Sequence, residues 1–214
     1  MGLISTNAIV LSSLKYSDSS LIVKCYTEEL GLISFIERGI LKSKRRGSKI
    51  AHFQPLNQLS LVFHYKSKNT LSTIKELSVL YPYKYIPSDI VKHTIVLFWS
   101  EVLTKAIQEE TEDKQLFTYL TSAFAWLDMH DKVANFHLLF LLNLTKFLGF
   151  YPDLSNSHYQ GFDLLEGHFS NDVMNKHVIT KNEFHQFKKL LGINFDAIES
   201  VTFSTQERQL ILQT

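Results

Sequence analysis

The sequence predicts an α+β chain. A five-stranded β-barrel occupies residues 1–82, and an all-helical body with a small β-hairpin insertion occupies residues 83–214. Three observations carry this reading. Up to about Ser78 the apolar residues fall in short runs with a period of two, the spacing of strands. After Pro82 and Pro87 the period becomes that of helices. Charge divides at the same place: residues 1–82 hold 11 Lys and Arg against five acids, net +6, and the remainder holds 11 against 16, net −5. The whole-chain balance of +1 conceals that division.

Taken in order, Ala8-Ile9-Val10-Leu11 is an apolar run closed by the turn-like Tyr16-Ser17-Asp18-Ser19-Ser20. Leu21, Val23 and Cys25 then alternate with Ile22, Lys24 and Tyr26. Gly31 opens Leu32 to Ile36, a hairpin partner for that strand. Leu59 to Phe63 and Leu71 to Lys75 are joined by the polar turn Lys66-Ser67-Lys68-Asn69. Five short strands with no long helix to cover them favour closure, since an open sheet of that size leaves edges and one face unburied.

In the second half, Ser88 and Asp89 make an N-cap for a helix to about Gln108, with Val91, Ile95, Phe98 and Val102 at helical spacing. A second helix spans about Asp113 to Leu127, and a third runs from Asp131 to Gly149, a residue suited to end it. Thr180 to Glu183 and Ser204 to Glu207 both have capping-box form, and Gly192 ends the helix that the first box opens. Phe162 to Ser170 is a small hairpin around Glu166-Gly167.

Composition bounds the function. With 45% hydrophobic and 20% charged residues the chain is globular, and one cysteine excludes a disulfide framework or a multi-cysteine metal site. Alternating with apolar neighbours, Cys25 is a small buried hydrophobe rather than a nucleophile. The N-terminus lacks a signal-peptide pattern, and Gly2 with Thr6 only loosely fits a myristoylation pattern. The apolar stretch Phe136 to Leu148 is too short and too polar to span a bilayer. These features place the chain in the cytoplasm, with no membrane partner. Dinucleotide, Walker-type and nucleophile-elbow motifs are absent, and the nine histidines show no metal-ligand spacing. No catalytic constellation, metal site or cofactor is expected, and the chain is not expected to be an enzyme.

One segment carries chemistry. Lys42-Ser43-Lys44-Arg45-Arg46-Gly47-Ser48-Lys49 places five cations in eight residues, and its Gly and Ser make it a loop. Such a loop displaces counterions from nucleic acid, giving salt-dependent, sequence-independent affinity. The plainer alternative is a solvated loop kept basic for solubility. Position favours the first, because a basic loop between the strands of a small barrel is where oligonucleotide-binding (OB) barrels grip their ligand. Tyr16, Tyr26, Phe35 and Phe63 are candidates for base stacking, each with a competing claim from the barrel core.

The motifs together resemble the RecO family of bacterial DNA repair proteins. The opening run and turn, then Tyr26-Thr27-Glu28-Glu29-Leu30-Gly31, then Arg38-Gly39-Ile40 leading into the basic loop, then Phe53-Gln54-Pro55-Leu56, follow that family's order and spacing. Leu148-Gly149 with Pro152 and Leu154 resembles its "LGxxPxL" helix end. The resemblance implies an OB-type β-barrel over 1–82 and a helical domain over 83–214. It further implies a non-catalytic mediator that binds single- and double-stranded DNA and anneals complementary strands. Its implied partners are RecR, the C-terminal tail of the single-strand-binding protein and, indirectly, RecA, and it is nucleoid-associated when bound to DNA. Lys42, Lys44, Arg45, Arg46 and Lys49 are then the DNA-binding cations, with Arg38 and Lys24 extending the surface. Lys92, Lys105, Lys146, Lys188 and Lys189 are candidate contacts for the acidic tail. Many family members carry a four-cysteine zinc site after the "LGxxPxL" segment. Here that region, Ser155 to Gly161, has no cysteine, so packing by Tyr159, Phe162 and Phe169 must brace the hairpin. Two other readings stand beside this one: a non-catalytic protein-interaction scaffold whose barrel binds no nucleic acid, and a metal-dependent nuclease, which lacks the necessary carboxylate cluster.

Overall fold

One strand organises the N-terminal half. β1 (Gly2–Lys15) pairs antiparallel along its C-terminal half with β2 (Leu21–Thr27) and along its N-terminal half with β4 (Gln58–Tyr65). β3 (Gly31–Glu37) lies outside β2 and β5 (Ile74–Tyr81) outside β4, giving the order β3-β2-β1-β4-β5. The computed structural model describes residues 2–42, 46–65, 67, 70–107 and 111–213, and for 46–48 and 213 the backbone alone. The strand reading is correct in number, and β1 is longer than its apolar run because Gly2 to Asn7 pair with β4 without an apolar pattern.

The predicted closed barrel is not what forms. The edge strands β3 and β5 share no ladder. They are joined at one point, where Ile36 N–H donates to the Ser72 carbonyl (2.9 Å) and Ser72 N–H to the Ser34 carbonyl (3.0 Å). Past Ser72 the chain turns into β5 and spends its backbone bonds on β4. The result is a curled sheet pinned at its edges. Inside the curl, Val10, Val23, Cys25, Phe35, Leu61 and Phe63 pack together, with Phe35 and Phe63 edge to face at 4.9 Å. Each large side chain buried there contributes about 1.5–3 kcal/mol. Cys25 belongs to this core, where burial pushes its thiol far above the ordinary range.

On the other face lie α2 (Ile90–Ala106) and α3 (Lys114–Met129). A bulge between Val10 and Ser12 leaves Leu11 out of the β2 ladder, and its carbonyl accepts from Ser100 Oγ (2.7 Å) and Thr104 Oγ1 (3.3 Å) of α2. Tyr26 donates to the Asp113 carbonyl (3.3 Å); burial pushes its phenol up to about 12. The Asp89 cap forms as read, its carboxylate accepting from Val91 and Lys92 N–H. At the β2–β3 turn Thr27 Oγ1 donates to the Gly31 carbonyl (2.8 Å) and accepts from Leu30 N–H (3.2 Å). Gly31 has φ +66°, and a Cβ there would collide with the backbone of Thr111. The same turn holds Glu28, which accepts from Asn7, and Glu29, which pairs with Lys114 at 3.1 Å.

Asp128, at the end of α3, is fully buried. Its carboxylate accepts from the backbone N–H groups of Lys84 (2.9 Å), Tyr85 (2.8 Å) and Ile86 (2.8 Å), fixing the segment between β5 and α2. Its carbonyl accepts from the buried Lys92 ammonium (2.7 Å), so Lys92 is structural and unavailable as a tail contact. The chain divides into two compact units at Met129, beyond the change of period at residue 82, because α2 and α3 belong with the sheet.

In the second unit, α4 (Phe136–Phe147) starts later than predicted, with Asn135 at its N-cap and Gly149 at φ +83° beyond its end. The hairpin gains a third strand: β6 (Gly161–Asp163) lies between β7 (His168–Ser170) and β8 (Val178–Thr180). Phe162, Phe169, Ile179 and Phe184 form a core under it, flanked by Tyr159 and Phe187. α5 (Lys181–Leu190), α6 (Phe195–Ile198) and α7 (Thr205–Gln213) complete the unit. The second capping box is complete, Ser204 N–H donating to Glu207 Oε2 (2.7 Å) and Glu207 N–H to Ser204 Oγ (3.2 Å). The first is not, because Thr180 makes no side-chain cap bond and Lys181 sits at φ +53°.

Replacing Asp128 by Asn turns an amide NH2 toward donors that now meet an acceptor. A loss of about 2–4 kcal/mol is expected, read as a fall in Tm of roughly 5–10 °C.

Candidate nucleic-acid interface

The residues singled out by charge fall into three groups. Register places the ends of β1, β2 and β3 in one row, Lys15 opposite Leu21 and Leu21 opposite Glu37. Arg38, exposed, follows directly on β3, and Lys42, exposed, follows the turn closed by Lys42 N–H on the Gly39 carbonyl (3.2 Å). This segment is tied to the β1–β2 turn by Leu41 N–H on the Ser19 carbonyl (3.1 Å). α1 (Arg46–Ala51) comes next, a short helix where the sequence predicts a loop. Gly47 and Ser48 do not prevent it, because Ile40, Ile50 and Phe53 seat the segment against the sheet core. Lys49, on α1, is exposed at the same end as Arg38 and Lys42.

Lys24 stands apart. It lies mid-strand on β2, half-buried, opposite Ser12 and Ser34 and on the face away from the inner core. Lys44 and Arg45 lie outside the described residues, and of Arg46 only the backbone position at the start of α1 is given. Among the candidate aromatics, Tyr26, Phe35 and Phe63 are buried, whereas Tyr16 at the β1–β2 turn is 63% exposed. Tyr16 is thus the one of the four free to meet a base.

The charge count does not reveal a cleft between α1 and β5, of about 240 Å3, in which Lys49, His52 and Lys75 surround Glu37. Lys75 joins the cationic end through strand pairing distant in sequence. Among the described residues the two ion pairs, Lys105–Glu101 and Lys114–Glu29, lie elsewhere, so Arg38, Lys42, Lys49 and Lys75 are not held in ion pairs with described acids. Burial holds the Glu37 carboxyl above its ordinary value of 4.5, against the lowering influence of the Ile74 N–H and Lys49.

Of the remaining tail candidates, Lys105 pairs with Glu101, Lys146 sits over the Tyr151 ring, and Lys189 donates to Gln186. Lys188 donates to the Ser157 carbonyl and lies over Phe169 and Phe184. Among the described residues no three His, Cys, Asp or Glu side chains gather as a metal site, and no helix is long and apolar enough to cross a membrane.

A curled antiparallel sheet covered by helices and carrying a cationic end, followed by a second unit braced by aromatic packing, defines the class: a two-unit α+β protein with an exposed basic surface. The family model described as "Recombination protein O N terminal" matches residues 1–83, and "Recombination protein O C terminal" matches residues 87–214. The chain is 45% identical over 210 residues to the DNA repair protein RecO of Flavobacterium psychrophilum, and 44% identical over 210 to that of Flavobacterium johnsoniae. Each match covers 98% of this chain and 88% of the relative. The corresponding protein of Bacteroides fragilis is 37% identical over 207 residues, 95% of this chain and 85% of the relative. The chain therefore belongs to the recombination protein O (RecO) family of DNA repair proteins.

Glu37 titrates with a measurable signature. Its folded pKa exceeds its unfolded one, so the native state binds the proton more readily; stability is lowest above the folded value and recovers as pH falls toward 4.5. Glu37→Gln should raise Tm at pH 8, with the gain shrinking toward pH 4.5.

Proposed function

We propose that this chain is a non-catalytic mediator of recombinational DNA repair, whose curled sheet acts as an OB-type DNA-binding fold. It binds single- and double-stranded DNA and anneals complementary strands. With RecR it helps load RecA onto DNA coated by single-strand-binding protein, whose C-terminal tail it contacts. It acts in the cytoplasm, on the nucleoid when DNA-bound. The observation that carries this reading is the end-to-end match to the family, joined to a cationic sheet end free of ion pairs with described acids.

In physical terms, Arg38, Lys42 and Lys49 neutralise backbone phosphates at one end of the sheet, and the cations Lys44, Arg45 and Arg46 of the same basic segment add to that charge. Lys24 extends the surface along β2, outside the cluster. One basic surface that holds two strands screens their mutual repulsion and leaves the bases free to pair. No step requires a covalent intermediate or a bound cofactor.

Substituting Lys44, Arg45 and Arg46 together by Ala should weaken binding to single-stranded oligonucleotides and flatten the salt dependence by about two in log affinity against log salt. Anisotropy titrations across a salt series measure both. An unchanged slope rules out these cations as the phosphate contacts, and absence of salt-dependent binding by the unmodified protein favours the interaction-scaffold reading. Strand annealing with and without single-strand-binding protein tests the mediator role.

A further inference from the structure

The outer face of the sheet carries an apolar strip toward the ends of β1, β2 and β3. Ser12, Lys24 and Ser34 pair across these strands as one row on that face, and Leu14, Ile22 and Ile36 form the next. α2 and α3 engage the face at Leu11, whose carbonyl Ser100 and Thr104 hold, and at Tyr26, which reaches Asp113. Beyond those points Leu14 is 64% and Tyr16 63% exposed, and Ile22 is half-buried. Tyr16 and Arg38 lie two residues past Leu14 and Ile36, the period that returns to the same face. The pairing of β1 carries on that far, since Tyr16 N–H donates to the Ser20 carbonyl (3.0 Å). Leu41 N–H on the Ser19 carbonyl ties this turn to the segment that follows Arg38.

Single apolar residues on a surface are ordinary, but this strip lies among cations. Lys24 stands two residues from Ile22 and Arg38 two from Ile36, about 7 Å each along the strand. Lys15 and Lys42 are exposed at the same end, and Asp18, in the β1–β2 turn, is the acid of that stretch. A protein partner could bury Leu14 and Tyr16, but the surrounding positive charge selects a polyanion. In a duplex the base faces are stacked on one another, so an exposed ring has nothing to stack on. A single strand offers both groups that this face complements: open base faces for the ring and phosphates for the cations.

We infer that the outer face at the ends of β1, β2 and β3 is a single-strand platform, where one base stacks on Tyr16 beside Leu14 and Lys24 and Arg38 take flanking phosphates. It rests on the DNA-binding reading and deepens it. The phosphate contacts hold either form of DNA, and Tyr16 adds affinity for unpaired strands alone. Lys24, outside the cationic cluster, is the far edge of this platform.

The test compares, by anisotropy, a thymine-only strand of about 15 nucleotides with a duplex of the same length. Tyr16→Ala should weaken single-strand binding at least about fivefold, the lower end of what stacking one base supplies, and leave duplex affinity unchanged. Tyr16→Phe, which keeps the ring, should bind as the unmodified protein does. Lys24→Ala should flatten the single-strand salt dependence by about 0.7 in log affinity against log salt, the share of one phosphate. The unmodified protein should bind an abasic strand of the same length at least about fivefold more weakly, so the test stands even if the Ala variant does not fold. An abasic strand bound as tightly as the thymine strand overturns the platform, as does a loss in Tyr16→Ala that is equal for strand and duplex. No loss for either form also overturns it and leaves Leu14 and Tyr16 to a protein partner. No salt-dependent binding of either form by the unmodified protein overturns the DNA-binding reading itself.

Discussion

Strand β1 has one backbone and two partners. Its first eight residues exchange hydrogen bonds with β4, and its last eight with β2, so near Ala8 and Ile9 it serves both. Just beyond, Val10 bonds to the loop before β4, its N–H to the Asn57 carbonyl and its carbonyl to the Leu56 N–H. Leu56 has φ +59°, a region that costs a non-glycine residue about 1–3 kcal/mol, and it is held there by Val10 and by the Tyr83 hydroxyl on its carbonyl. The bulge that follows frees the Leu11 carbonyl for α2. The curl of the sheet, the helical cover on its outer face and the placement of α1 all descend from how this strand divides its bonds.

That division explains why cations distant in sequence meet. Arg38 and Lys42 arrive through β3, Lys49 through α1, and Lys75 through β5, which the Ser72 bridge draws to β3. Glu37 lies among them because the strand ends at that row, and the cleft keeps it partly from water. Where positive charge outnumbers the one carboxylate set among it, counterions gather too, and their release favours a polyanion.

The architecture was legible because each strand inside the curl alternates with period two and each helix carries period 3.6; Val23, Cys25, Phe35 and Phe63 reported the inner face directly. Closure was overread, since periodicity states which face is buried but not whether the two edge strands share a ladder. α1 was missed because Gly47 and Ser48 have low helix propensity, and burial of Ile50 and Phe53 outweighs it. Charge counting found the basic segment but separated neither Lys24, which faces away, nor Lys92, which is buried on a carbonyl. The cleft was invisible, because Lys75 and Glu37 are nearly 40 positions apart. The hairpin brace was legible, since Tyr159, Phe162 and Phe169 stand in a stretch without cysteine; Phe162 and Phe169 lie in its core and Tyr159 packs against it.

The β2–β3 turn, with Glu28 and Glu29, lies at the opposite end of its strands from Arg38. Seven residues of strand separate the two ends by about 23 Å. Because Glu29 is paired with Lys114, Glu28 alone stands against the cations of the far end, and the sheet's charge is graded along its own strands. A polyanion drifting nearby feels a torque before it feels a contact, and turns the sheet cation-end first. At physiological salt, where fields die away over about 8 Å, that torque acts only in the last moments of approach, so the strands' direction also governs how the encounter responds to ionic strength.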